Sequence, residues 1–425
     1  MSTSEALLTL DEINLAYPDL FEQGRHHEAF RLLRRERPIS YTEGNEELRG
    51  FWNVVRYDDV VAVSRRPDIW SSERGIVFAE SVNEEEVIAA GSGNGKMLIT
   101  MDPPRHVRLR RLVNKGFTPR AAKAMEAHIR ELTRDILNEA AEKGDIDFVT
   151  EVSCLIPLYV ICSMLGVPRE QSALMFQLTN KVLGQGDPEY QTDVPEDQRG
   201  TVEAARITGN MGTMQMFGYF AQLLQARKAE RKEDILSLLV ESEVDGEKLS
   251  DEDILWFCFL LILAGNETTR NAMTGGLLAL FEHPDQRRTL QENLALLEGP
   301  ATEEIIRWVS PVTHMARSAK EDTEIAGQPM KKGDRVVMWY PSANRDEKYF
   351  PDGDVFNLER NPNEHIAFGI GEHFCLGAEF ARLEIRVLFE ELLTRFPNVE
   401  QTGPVQRLRS NFIGGYKHLP VRLKA

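Results

Sequence analysis

Four cysteines are few for 425 residues. Cys154, Cys162, Cys258 and Cys375 are scattered, with neither metal-ligand spacing nor a pairing pattern. That excludes a disulfide scaffold and a cysteine-based zinc cluster, and it fits a reducing, cytoplasmic setting. Three of the four sit in apolar runs and read as core. Basic charge is also short: Lys+Arg 50 against Asp+Glu 67, a net charge of −17. Bulk nucleic-acid binding is therefore not expected. Long apolar runs are missing, since a bilayer span needs about 20 residues. The run from Ile254 to Gly265 is shorter than that, and Val152 to Val167 is broken by Ser153, Pro157 and Ser163. The opening MSTSEALLTLDEINLAYPDL is acidic and lacks a basic n-region, so no signal peptide and no membrane anchor are expected. No Gly/Ser or Pro-rich linker, low-complexity tract or repeat is present. Residues 1–425 therefore read as one domain, although length alone suggests two or three.

What is present is an ordinary globular composition, 42% hydrophobic and 28% charged. Periodicity predicts helices over 26–36, 121–142, 148–165, 171–182, 202–230 and 249–281. Asp58 is placed as the cap of a short helix ending at Ser64, and Asp102-Pro103-Pro104 as the start of another. Strands are expected near 50–56, as two or three between 312 and 340, and near 405–424, with turns at Gly327 and Lys332-Gly333-Asp334. Residues 75–100 read as a long irregular loop of the kind that is usually functional. Met211, Met214, Met216 and Phe217 cluster in one helix, either as core filling or as an adaptable apolar wall.

Four short constellations stand out. His106 and Arg110 share a helix face at i, i+4. Ala264-Gly265-Asn266-Glu267-Thr268-Thr269 puts a glycine, an acid and two hydroxyls inside an apolar helix. There Thr268 is placed to bond back to the carbonyl of Ala264 and bend the helix beside a small polar groove. Glu304 and Arg307 share a face at i, i+3. The densest stretch is Phe368-Gly369-x-Gly371-x-His373-x-Cys375-x-Gly377, ahead of a long amphipathic run from Ala378 to Arg395. Its glycines let a broad ligand approach the backbone. Free N–H groups and the helix dipole at the start of that run favour a thiolate at Cys375.

These motifs, in this order, resemble those of the cytochrome P450 monooxygenases, from about residue 50 to the end. The resemblance implies a mainly α fold, a large helical domain with a minor antiparallel β subdomain. It implies haem b, with Cys375 as the iron ligand, and Phe368, Gly369, His373 and Gly377 shaping the loop around it. It implies that His106, Arg110 and Arg317 bind the haem propionates. Ala264 and Gly265 would line the site of O2, and Glu267 and Thr268 would deliver protons to it. Glu304 and Arg307 would pair with Arg360 to fix the cysteine loop. The helices on either side of 184–200 would form a lid over substrate, and the hairpin tip at Asn411–Gly415 would touch it.

Several segments, Ala264–Asn271, Asp187–Tyr190, Asp245–Ser250 and Trp339–Glu347, are similar to bacterial members that hydroxylate terminal methyl groups of sterol side chains and methyl-branched lipids. The tail from Asn411 to Leu423 is similar to the terpene-alcohol branch. A haem sensor or carrier without turnover, and a peroxide-driven enzyme of the same fold, are the rivals. No flavin or nicotinamide fingerprint is present. Electrons are therefore expected from a separate ferredoxin and its reductase, docking on a basic island of Arg105, Arg108, Arg111 and Lys115 with Arg382 and Arg386 nearby. The expected substrate is lipophilic.

Overall fold

The computed structural model describes residues 8–45, 48–77, 93–244 and 247–424. Most of the irregular stretch expected at 75–100, including Gly91 and Ser92, lies outside the described residues, as do Asp245 and Gly246. The chain is mainly helical. The helices used below are α1 (His26–Glu36), α2 (Tyr57–Ser64), α3 (Arg105–Val113), α4 (Pro119–Lys143), α5 (Leu155–Leu165), α6 (Ser172–Leu183), α7 (Val202–Ala229), α8 (Asp251–Glu282), α9 (Pro300–Val309) and α10 (Ala378–Arg395). The strands of the main sheet are β1 (Ile39–Thr42), β2 (Phe51–Val54), β3 (Trp70–Ser71), β4 (His314–Ala319) and β5 (Arg335–Trp339), in spatial order β1-β2-β5-β4-β3.

Helix starts follow local chemistry. Thr118 caps α4 by accepting from the N–H of Ala121, and Thr201 caps α7 by accepting from that of Ala204. Ser250 accepts from the N–H of Asp253 at 3.1 Å, and the acids of the first turn of α8 complement its dipole. Asp58 does not cap α2. Extended Arg56 precedes the helix, and Asp58 lies in its first turn, bonded to Lys348 and Tyr349. The helix after Asp102-Pro103-Pro104 begins at Arg105. The stretch 148–165 is two elements, a π-helical turn at Val149–Ser153 and then α5.

Helix α8 runs through the centre, buried along most of its length against α5, α6, α7, α9 and α10. The side open to solvent in its middle is the row Leu260, Ala264, Thr268, four residues apart, with Gly265 beside it. The main sheet is antiparallel except for the parallel pair β2–β5. Region 312–340 holds four strands rather than two or three: β4, β5 and a hairpin of Thr323–Ile325 with Gln328–Met330, turning at Gly327 with φ +80°. In the C-terminal part, Gln406–Arg407 pairs with Tyr416–His418, and Pro420–Arg422 joins Glu400–Gln401 and Asp145–Asp147.

Candidate active site

The cysteine loop is held by backbone geometry. Gly369 and Gly371 have φ of +70° and +78°. A Cβ on Gly371 would lie 2.7 Å from the carbonyl oxygen of Ser64, so no other residue fits without a shift. The Cys375 N–H donates to the Phe368 carbonyl at 2.9 Å, folding the loop back on itself. Gly377 is the N-cap of α10, and a Cβ there would meet nothing within 4 Å. Burial pushes the Cys375 thiol up, while the Gly377 N–H, Arg110 and Arg382 pull it down without prevailing. A metal ion bound at this sulfur would favour the thiolate.

Two ionic clusters anchor this loop. Glu303 on α9 accepts from Arg382 at 2.6 Å and lies 3.0 Å from His365 Nε2. Burial opposes its charge, but these two partners outweigh it and hold its carboxyl down at about 2. The Arg382 guanidinium sits 4.6 Å over the ring of Phe368. Beside it, Glu304 binds Arg307 at 2.7 and 2.8 Å, Arg360 at 3.1 Å and Asn363 at 3.1 Å. Arg307 spends its remaining donors on the carbonyls of Asn344 and Gly353. The Glu304–Arg307–Arg360 grouping thus forms as the sequence suggests. The Glu303 cluster had no local signal, because its members are 62 and 79 positions apart.

Against the loop lies a cationic cradle. His106 is 1% exposed, and neither ring nitrogen has a partner among the described residues. Its ring is 4.3 Å from that of His373, whose Nε2 is 3.3 Å from the Ser72 hydroxyl. Burial first, then neighbouring arginines, push the two histidines down to about 4 and about 2. Arg317, in the middle of β4, is 5% exposed, and its guanidinium donates to the Ala316 carbonyl. Arg110 donates to the carbonyls of Glu372 and Phe374. A buried arginine on a single carbonyl and a buried histidine with two orphaned nitrogens are costly unless an anion joins them. The donor set fits the two carboxylates of haem b.

The Thr268 hydroxyl donates to the Ala264 carbonyl at 2.7 Å, and both residues lie on the open row. Gly265 backs onto Ile161, whose Cγ1 would be 3.2 Å from an added Cβ. Glu267 is not on that row. It is 1% exposed and paired with Arg270, which donates to Asn180 Oδ1 of α6 at 3.1 Å. Burial pushes the Glu267 carboxyl up, with Arg270 opposing. The i, i+3 spacing of Glu267 and Arg270 is the signal in the sequence for this pair.

The segment 184–200 is tied to the C-terminal hairpin. Lys417 reaches Asp187 and Glu189 at 3.2 Å each, and His418 bridges Asp147 and Glu189 at 2.6 and 3.1 Å. Met216 is buried and Phe217 packs on Trp256 and Phe259, but Met211 and Met214 face solvent and line nothing. Several members of the basic island take part in ion pairs. Arg105 pairs with Asp253, Arg382 with Glu303 and Glu379, and Arg386 with Glu126 and Glu390. Arg108, Arg111 and Lys115 are exposed, as are the apolar Val107 beside them and Phe374, whose carbonyl accepts from Arg110.

A cysteine loop shaped by glycines ahead of a long helix, with a cationic cradle against it, fits a haem-thiolate protein. Residues 74–414 match the sequence profile of the cytochrome P450 family. A methyl-branched lipid omega-hydroxylase of Mycobacterium tuberculosis is 42% identical over 403 residues, 92% of this chain and 90% of the relative. A steroid C26-monooxygenase of Rhodococcus jostii is 38% identical over 418 residues, 96% of this chain and 84% of the relative. Among solved structures, a Mycobacterium marinum cytochrome P450 in complex with pseudoionone superposes with a TM-score of 0.88 at 32% identity, covering 99% of this chain and 100% of that one. The chain belongs to the cytochrome P450 family, and its cofactor is haem b. Among the described residues no helix is long and apolar enough to cross a membrane.

Proposed function

We propose that this protein inserts one oxygen atom from O2 into a terminal, unactivated C–H bond of a lipophilic substrate, a sterol side chain or a methyl-branched lipid. The observation that carries this reading is similarity across nearly the whole chain to two relatives named for lipid omega-hydroxylation and steroid C26 oxidation. The open row of α8 agrees with it, offering Leu260 and Ala264 to an apolar group and Thr268 to oxygen.

Haem b, when bound, supplies the activation of O2 and the oxidation of the C–H bond. The chain supplies placement and protons. Cys375 ligates the iron, in a loop shaped by Phe368, Gly369, His373 and Gly377. His106, Arg110 and Arg317 neutralise the propionates. Ala264 and Gly265 leave room for O2. The Thr268 hydroxyl, anchored on the Ala264 carbonyl, holds water there. Glu267, paired with Arg270 one turn along the helix, carries protons toward that water. A cytoplasmic enzyme fed by a separate ferredoxin and reductase completes the reading. The dock is the exposed set Arg108, Arg111 and Lys115, which attracts an acidic partner to an otherwise acidic protein. Terpenoid alcohols are the second substrate class, on the strength of the tail from Asn411 to Leu423.

The test is a panel of sterol-enones with intact side chains, methyl-branched fatty acids, monoterpene alcohols and small polar aromatics. Each is scored by the low- to high-spin shift of the Soret band and then by product analysis with ferredoxin and reductase. Sterol or branched-lipid ligands should shift the spin state and give terminal alcohols. A response confined to small polar aromatics contradicts the lipid reading, and binding without any product from any ligand supports a sensor or carrier.

A further inference from the structure

One buried amide joins the centre of α8 to the C-terminal hairpin. Asn271 is fully buried. Its Nδ2 donates to the Glu267 carbonyl at 2.8 Å, and its Oδ1 accepts from the backbone N–H of Tyr416 at 3.0 Å. The contact is close enough to dictate the neighbouring residue: a Cβ on Gly415 would lie 2.7 Å from both polar atoms of the amide. Glycine at 415 is what lets the amide in.

Both ends of this link lead to the candidate active site. The Glu267 carbonyl belongs to the peptide unit that joins Glu267 to Thr268. That unit is planar, so an extra donor on its oxygen fixes both Cα atoms and the directions in which the two side chains leave the helix. At the other end, Tyr416 opens the second strand of the hairpin, whose turn is sewn to the segment entering β4. The Thr313 N–H and hydroxyl donate to the Phe412 carbonyl at 3.0 and 3.1 Å, and the Gly414 N–H donates to the Pro311 carbonyl at 2.8 Å. Ile413 bridges Val312, and β4 then carries Arg317.

We propose that Asn271 is a positioning residue that ties the Glu267–Thr268 peptide to the hairpin and, through it, to the segment entering β4, so that proton delivery on α8 keeps one geometry. The inference rests on the monooxygenase reading above. Asparagine suits the task because its amide is donor and acceptor at once. Leucine has the size and neither function, and the shorter serine hydroxyl serves one partner at most.

The experiment compares Asn271→Leu, Asn271→Ser, Gly415→Ala and the Asn271→Leu/Gly415→Ala pair with wild type. Two quantities are read: product formed per NADPH consumed, a ratio independent of how much enzyme is folded, and amide hydrogen exchange at Tyr416, which needs no turnover. Exchange at Tyr416 should quicken in Asn271→Leu and Gly415→Ala. Product per NADPH should fall about five-fold in each single variant, the factor expected for one buried hydrogen bond. The double variant should be no worse than either single, because both act through one contact. Gly415→Ala leaves Asn271, Glu267 and Thr268 untouched, so its loss of coupling separates the link from damage to α8. Wild-type coupling in Asn271→Leu or Asn271→Ser, or additive losses in the pair, overturns the proposal, as does unchanged exchange at Tyr416 in Asn271→Leu. Absence of product from wild type with every lipophilic substrate fails the monooxygenase reading instead, while the exchange data still report whether the link exists.

Discussion

Arg270 reaches back one turn to Glu267 inside α8, and the two side chains are 1% and 2% exposed. An ion pair this deep is weak evidence for stability, yet removing one member strands the other as an unpaired buried charge. Glu267→Gln or Arg270→Leu should each lower unfolding free energy by about 3–5 kcal/mol. The double variant, with no charge left over, should lose less than either single. Denaturant midpoints at constant slope measure this, and a harmless single variant contradicts the pairing.

Thr268 differs from Glu267 in facing the open row of α8. Thr268→Ala should therefore leave fold and haem content intact while uncoupling the reaction. NADPH consumption should continue, with hydrogen peroxide replacing hydroxylated product. Full coupling in that variant would remove Thr268 from proton delivery and leave Glu267 or water alone.

Glu303 gives a pH prediction. Its carboxyl is held at about 2, against an ordinary 4.5, by His365 and Arg382 working against burial. A carboxylate with a depressed value stabilises the fold above its unfolded value and loses that contribution as pH falls. The window is therefore between 4.5 and about 2. Because the pair is partly exposed, the stake is roughly 2 kcal/mol. Glu303→Gln should be less stable than wild type at neutral pH, with a flatter decline in that acid window. Parallel acid-unfolding curves would contradict it.

Arg108, Arg111 and Lys115 are exposed on and just after α3, the helix that carries Arg110. Reversing all three charges should slow ferredoxin-driven reduction and flatten its dependence on ionic strength, since exposed charges act within about 8 Å at physiological salt. Haem content and substrate binding should stay normal. Stopped-flow reduction unchanged across that triple variant would place the electron partner elsewhere.

The cysteine loop, the α8 motif and the Glu304–Arg307 pair were legible in the sequence because each is local. A glycine spacing, an acid inside an apolar run and an i, i+3 pair need no tertiary information. The cluster of Glu303, His365 and Arg382 was not legible, since only folding brings its members together. Asp58 misled because an acid near a helix start usually caps it, whereas here Lys348 and Tyr349 compete for the carboxylate. Met211 and Met214 misled because the helical period of α7 turns them outward, and composition alone does not show the face.

The central claim is that Cys375 holds the haem iron as a thiolate. The most direct measurement is the absorption spectrum of the reduced carbon-monoxide complex of wild type beside Cys375→Ser, Cys154→Ser, Cys162→Ser and Cys258→Ser. Cys154, Cys162 and Cys258 are buried, and burial pushes their thiols well up, so their replacement should leave the long-wavelength Soret band of thiolate haem in place. Cys375→Ser should lose it. Retention of that band in Cys375→Ser, or its loss in one of the other three with haem still bound, would contradict the assignment.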